Sequence, residues 1–275
     1  MDARPPRISA SSYSNTAPLI WSFLYGANRG RVEIILDNAP SRSFELLSAG
    51  RVDAALVPVI GYQLLEGVRL VPDVCIGARV TVQSVCLITD GRELIDAKSV
   101  SLDISSKTSA YLTKIIFREF LGFEPEWRDA RPDISTMLEV SDCALLIGDP
   151  ALSLADGDLL ENGKQVRKFD LAELWKSHTG LGFVFAMWMT HSESLAIDFA
   201  AARDEGLEHI GEIVSNYESD IPLTREELTT YLSCNISYSI DEPMRKGMEL
   251  YFDLARKNGL IKATSPLSFI AQATH

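Results

Sequence analysis

Two α/β lobes joined by two crossing strands are the architecture this chain predicts, on three observations. Strand and helix patterns alternate through the first half of the sequence, the rhythm of a parallel sheet with covering helices. A long β-branched run, TVQSVCLIT (Thr81 to Thr89), is followed by a fresh strand rhythm, as though the chain left one lobe for another. A second long apolar run, GFVFAMWM (Gly182 to Met189), then leads into a helical C-terminal part. The expected division is 1–88 plus 188–275 for a discontinuous first lobe and 89–187 for the second.

Each element has its own signal. Ile8 to Ser12 reads as the first strand, after which Asn15 or Thr16 is expected to cap a helix with Pro18 in its first turn, where the missing N–H costs nothing. VEIILD (Val32 to Asp37) is a strand, SRSFELLSAG a helix opened by Pro40-Ser41 and stopped by Gly50, and AALVPV (Ala54 to Val59) the next strand. SVSLDIS (Ser99 to Ser105) starts the second lobe, and in SAYLTKIIFREFLG the residues Leu112, Ile115, Ile116 and Phe120 recur at helical spacing before Gly122. CALLIG (Cys143 to Gly148) is another buried strand. Three amphipathic helices are expected near 192–217, 224–234 and 241–258, the last closed by Asn258-Gly259. Phe183, Phe185 and Trp188 read as core.

Composition narrows the function. A chain of 275 residues, 46% apolar and 23% charged, can build a sizeable core. Its net charge of -12 disfavours a nucleic-acid surface, so an anionic ligand would have to be held locally. The N-terminus lacks a signal-peptide apolar core, and no stretch reaches about 18 apolar residues; a cytoplasmic protein without a membrane span is expected. Cys75, Cys86, Cys143 and Cys234 have no paired spacing and read as buried reduced thiols. His178, His191, His209 and His275 make no metal motif, so no metal is expected. There is no G-x-S-x-G, no Cys–His pairing and no phosphate-cradling G-x-x-x-x-G-K.

The distinctive residues are polar and uncharged. Ser9, Ser11, Ser12, Ser14, Asn15 and Thr16 crowd the end of the first strand and the start of a helix. Ser105, Ser106, Lys107, Thr108 and Ser109 repeat the arrangement in the second lobe. Ser, Thr and Asn are ordinary helix caps, but a cap needs one side chain, and the excess points to two anion sites at helix N-termini facing across a cleft. Such a pair suits a ligand with two acidic groups. Gly148-Asp149, after CALLIG, is either a plain turn or a backbone approach to ligand. Alternation places Gln83 and Ser84 on opposite faces of their strand, and either is site or mere strand surface. Residues alone thus reach a two-lobed protein that binds a small polyanion.

Six motifs in order carry a resemblance over nearly the whole chain: SYSNTAPL (Ser12 to Leu19), LLSAGRVDAALVPV (Leu46 to Val59), VQSVCL (Val82 to Leu87), DISSKTSAYL (Asp103 to Leu112), ALLIGDPAL (Ala144 to Leu152) and DLAELWKSHTGLGFVFAMW (Asp170 to Trp188). Together they resemble the chorismate dehydratase family of the futalosine route to menaquinone. The resemblance implies a type II periplasmic-binding-protein-like fold and a hydro-lyase that works without metal or organic cofactor. It implies chorismate, a dianion, as the partner, with 3-[(1-carboxyvinyl)oxy]benzoate as product. On this reading Asn15 and Ser84 are catalytic, and Ser12, Thr16, Ser106, Lys107, Thr108, Ser109, Gly148 and Asp149 bind substrate. The family commonly carries Leu, an acidic residue, Arg, Arg and Pro where this chain has Ser14, Gly61, Gln83, Lys107 and Gly182. Lys107 offers a point charge in place of a planar fork, and Gln83 offers none. The alternatives are a solute-binding protein for a small carboxylate and the sister enzyme 1,4-dihydroxy-6-naphthoate synthase, whose opening motif, closer to S-P-C-P-N-D, is absent here.

Overall fold

Ten strands lie in two five-stranded sheets in the computed structural model, which describes residues 4–160 and 163–271. The strands are β1 (Arg7–Ser11), β2 (Glu33–Asp37), β3 (Ala54–Pro58), β4 (Arg69–Ala78), β5 (Val85–Thr89), β6 (Ser99–Asp103), β7 (Glu126–Ala130), β8 (Cys143–Ile147), β9 (Arg167–Asp170) and β10 (Phe183–Thr190). The first sheet has the order β2-β1-β3-β10-β4 and the second β7-β6-β8-β5-β9. In each, three parallel strands are followed by one antiparallel to both its neighbours: β10 between β3 and β4, β5 between β8 and β9. In both sheets that antiparallel strand is the first to form after the chain arrives from the other lobe.

This exchange corrects where the chain crosses. TVQSVCLIT is not one strand: β5 begins at Val85 and lies wholly in the second sheet, while β10 lies wholly in the first. The crossings are the short segments before them, residues 79–84 and 180–182. Gln83 adopts φ 61, a left-handed conformation that breaks the strand before Ser84. Long apolar runs signal burial, and burial does not distinguish a strand shared by two lobes from a central strand of one.

β3, β5 and β8 are buried along their whole length, as central strands covered on both faces are. Phe183, Phe185 and Trp188 are in the core, and Phe183 packs edge-on against Trp175 and Tyr251, with ring centroids 5.4 and 5.1 Å apart. The helix Lys107–Ile115 continues as a π-helical stretch to Leu121 and ends on Gly122 at φ 80. The pattern near 192–217 resolves into helices Phe199–Glu208 and Ile210–Tyr217, and that near 224–234 into Arg225–Thr230 with a π-helical continuation Tyr231–Asn235. The last helix, Glu242–Lys257, packs on both β10 and the helix Lys107–Ile115, bridging the lobes. Cys75, Cys86 and Cys143 are buried, and burial pushes the Cys75 thiol up to about 12; Cys234, expected to be buried, is exposed. No helix among the described residues is long and apolar enough to cross a membrane.

Candidate active site between the lobes

The first wall grows from the end of β1. A 3-10 turn, Ser14–Thr16, leads directly into the helix Ala17–Leu24. Neither Asn15 nor Thr16 caps that helix, contrary to the sequence expectation: Thr16 already has helical angles (φ -84, ψ -25) and no side-chain cap forms. The 3-10 turn extends the helical backbone by a turn, with Thr16 N donating to Tyr13 O at 2.9 Å, and so removes the need for a cap. Thr16 Oγ1 pairs with Ser11 Oγ at 3.0 Å. Asn15 is buried, touched on its Oδ1 by Thr16 Oγ1 at 3.4 Å. Ser12 lies at the edge, its carbonyl accepting from the Tyr217 hydroxyl at 3.1 Å and its own hydroxyl 3.4 Å from Asn38 Oδ1.

The second wall grows from the end of β6. Ser106 does cap its helix, accepting from Ser109 N at 3.3 Å, and its Oγ lies 3.1 Å from Ser109 Oγ. Asp103 is fully buried; its Oδ1 accepts from Ser105 N at 2.8 Å and Ser105 Oγ at 2.6 Å, and its Oδ2 has no hydrogen-bond partner among the described residues. Lys107 turns outward. It is exposed, with Nζ 5.2 Å from the centre of the Phe44 ring across the lobe boundary, a cation–π contact.

Gly148-Asp149 and Ser84 join these walls. Gly148 has φ 67 and ψ -150, and a Cβ there would stand 2.7 Å from the Tyr13 ring. Only glycine lets Tyr13 reach over the end of β8 in this way. Gly148 N donates to Ser84 O at 2.7 Å, and the Ser84 side chain is buried just ahead of β5. Three contacts draw the lobes together: Ser14 Oγ to Asp149 Oδ1 at 2.6 Å, Ile60 N to Thr108 Oγ1 at 3.1 Å, and Ser41 N to Ser105 O at 3.2 Å. Thr108 is thus a closing contact, and Ser106 and Ser109 are engaged in capping, whereas Asn15 and Ser84 are both buried and both lie beside a third side chain. The residue that unites them is Tyr231. Its phenol, fully buried, lies within side-chain reach of both.

Tyr231 and Asp103 do not stand out in the sequence as site residues. Asp103 lies inside the motif DISSKTSAYL, so a polar residue closing a buried strand is the available signal. Tyr231 has none, lying in a helical stretch that only the fold brings back to Ser84.

The electrostatics follow from burial. No Arg, Lys or His is among the buried polar residues described, and Gln83, like Lys107, is exposed. Burial raises the Asp103 carboxyl above the usual range against two opposing hydrogen bonds from Ser105, and raises Asp149 against those from Ser14. Burial, then the neighbouring Asp103, pushes the Tyr13 phenol up to about 12. Burial and Asp149 push Tyr217 up to about 12 as well. Cleft phenols therefore stay neutral and act as donors. Among the described residues no group of three or more His, Cys, Asp or Glu could hold a metal ion. A cleft of this kind can orient a ligand and hydrogen-bond developing negative charge without a formal cation.

Comparison with known proteins bears on the family and the fold. The chain is 29% identical to the chorismate dehydratase of Thermus thermophilus over 264 residues, covering 90% of this chain and 94% of that one. Among solved structures it resembles a protein from Archaeoglobus fulgidus (TM-score 0.68, 14% identity, 95% of this chain and 100% of that one). It also resembles the periplasmic aliphatic sulphonate binding protein of Escherichia coli (TM-score 0.63, 13% identity, 98% and 95%). A Candida albicans gene product with the generic periplasmic binding protein fold matches similarly (TM-score 0.65, 12% identity, 96% and 92%). These likenesses establish the type II periplasmic-binding-protein-like fold. The sequence pattern of the menaquinone biosynthesis family matches residues 6–257, nearly the full length, and the chain belongs to that family.

Proposed function

We propose that this chain is a hydro-lyase that removes water from chorismate, giving 3-[(1-carboxyvinyl)oxy]benzoate for menaquinone biosynthesis. The observation that carries the reading is that Asn15 and Ser84, both buried, lie beside the buried Tyr231 phenol with no buried cation among the described residues, in a chain 29% identical to a chorismate dehydratase.

The chemistry suits such a pocket. A proton leaves the ring carbon bearing the enolpyruvyl ether, its C–H electron pair becomes a ring double bond, and the neighbouring C–O bond breaks with its pair on oxygen. The ring becomes aromatic, which drives the reaction. The substrate's own enolpyruvyl carboxylate takes the proton, and that proton leaves with the hydroxide as water. The protein's part is to hold that carboxylate against the C–H and to supply donors to the departing oxygen. Asn15 positions the carboxylate through its N–H₂, and Ser84 orients the ring or its carboxylate. The backbone and hydroxyls at the start of the helix Lys107–Ile115 face the second carboxylate, Lys107 standing at the rim. Lobe closure excludes water. The enzyme so described is cytoplasmic, needs no cofactor and has a small dianion as its partner.

Incubating the protein with chorismate and following ultraviolet absorbance, with the product identified by NMR, tests the reading. A new aromatic carboxylate is expected. Chorismate that binds by calorimetry yet stays intact would instead make this a solute-binding protein.

A further inference from the structure

We propose that Tyr231 is a third member of the reaction centre, its phenol donating a hydrogen bond to the hydroxyl that leaves the ring; this rests on the dehydratase reading above. Tyr231 is fully buried, and its hydroxyl has no hydrogen-bond partner among the described residues. Among the buried tyrosines described it shares this state with Tyr238, whereas others are paired. The hydroxyl of Tyr62 donates to Pro266 O at 2.5 Å, that of Tyr217 to Ser12 O at 3.1 Å and that of Tyr251 to Thr108 O at 3.0 Å. A buried donor left unpaired is costly, so an unpaired phenol beside two polar side chains marks a place where a ligand completes the bonding.

Position identifies the ligand group. The Tyr231 oxygen is close enough to Ser84 and Asn15 to feel both, yet is aligned with neither. It enters from the C-terminal part of the chain, on the π-helical stretch Tyr231–Asn235, whereas Asn15 and Ser84 come from the opening 3-10 turn and the crossing segment. The three side chains thus come from three separate elements. Burial raises the phenol's pKa, with only partial relief from Ser84 and Asn15. Tyr231 therefore keeps its proton and serves as a neutral donor; it is not a base. As the C–O bond breaks, negative charge grows on the departing oxygen, and the phenol's hydrogen bond strengthens at that moment. The proton that completes the water is the one taken from the ring carbon, so Tyr231 ends the cycle as it began.

The test is Tyr231→Phe, which deletes one oxygen and keeps the ring. Because the deleted atom is unpaired in the free protein, the variant is expected to fold with a melting temperature equal to or above that of the parent. Calorimetric affinity for chorismate should stay within about threefold while kcat falls at least tenfold, the mark of a bond made in the transition state. Tyr238→Phe, which removes another buried unpaired phenol, is the control and should keep kcat within about twofold. Tyr231→Phe with parental kcat would overturn the proposal and leave the dehydratase reading intact. Parent protein that binds chorismate without converting it would overturn both.

Discussion

The Ser14 hydroxyl of the first lobe donates to Asp149 Oδ1 of the second at 2.6 Å, and the Ser14 backbone N–H reaches the same carboxylate at 3.1 and 3.2 Å. Asp149 follows Gly148, whose left-handed backbone admits the Tyr13 ring. Tyr13 and Ser14 thus engage Gly148 and Asp149 as adjacent pairs. The hydroxyl adds a side-chain bond to the two backbone ones that hold this carboxylate across the lobe boundary.

Ser14→Ala keeps the backbone N–H bonds and removes the hydroxyl. Hydrogen bonds to charged groups contribute about 1.5–3 kcal/mol, so the closed arrangement should be weakened by a tenfold factor or more. We expect KM for chorismate to rise about tenfold with kcat within about threefold, since closure precedes chemistry. Steady-state kinetics decide it; an unchanged KM means that the other inter-lobe contacts suffice.

Asn15 separates binding from local structure. Its side chain does not cap the following helix, so Asn15→Asp loses no cap, and a lowered melting temperature near neutral pH that recovers as pH falls is expected from the buried carboxylate alone. The new carboxylate lacks the N–H₂ donor and would face a dianion beside Asp149 in a poorly screened cleft. Turnover should fall at least as far as in Asn15→Ala. Near-parental turnover in Asn15→Asp would remove Asn15 from the reaction.

Ser84→Ala should lower turnover about tenfold or more, on the scale of one hydrogen bond to an ionised group. Thermal stability should change little, because the hydrogen bond that the Ser84 side chain makes among the described residues is a long one, 3.4 Å to Val82 O. Melting curves and turnover measured together check both halves.

Asp103 gives a pH-dependent prediction. Burial raises its carboxyl above the ordinary value of 3.8, so the fold binds this proton more tightly than the unfolded chain does. The sign follows from linkage: the favourable contribution is complete below 3.8 and is lost as pH rises through the folded-state value. Asp103→Asn removes the buried charge and can still accept from Ser105. The variant's melting temperature should exceed the parent's at pH 8, with the advantage vanishing below about pH 4. A constant offset across that range would exclude Asp103 as the titrating group.

Asp170 ties a crossing segment to the second lobe. Its Oδ2 accepts from Thr81 Oγ1 at 2.7 Å, Val82 N at 2.9 Å and Gln83 N at 2.6 Å, while Oδ1 caps the helix Leu171–Thr179 through Ala172 N at 2.8 Å and Glu173 N at 3.1 Å. Asp170→Ala strands several donors and deletes a cap, a loss of about 3 kcal/mol or more. For a chain of this size the melting temperature should drop by roughly 6–12 °C. Calorimetry would show it, and a drop below about 2 °C would mean that water replaces these bonds.

Local pattern made much of this protein legible. Alternation of strand and helix, the stops at Gly50 and Gly122, and the polar clusters after the first and sixth strands all follow from periodicity and backbone preference within a few residues, which the chain carries wherever it folds. The tertiary structure decided what those clusters meet. Lys107 sits in a polar cluster by sequence, yet its long flexible stem carries the charge outward to Phe44. Ser84 is site or strand surface by sequence, and the turn of the backbone at Gln83 precedes its burial. Tyr231 joins Asn15 and Ser84, and Asp149 joins Ser14, only because sheet topology returns distant segments to one cleft. Periodicity reports which face of an element is buried; the partner on that face is set by how the elements pack.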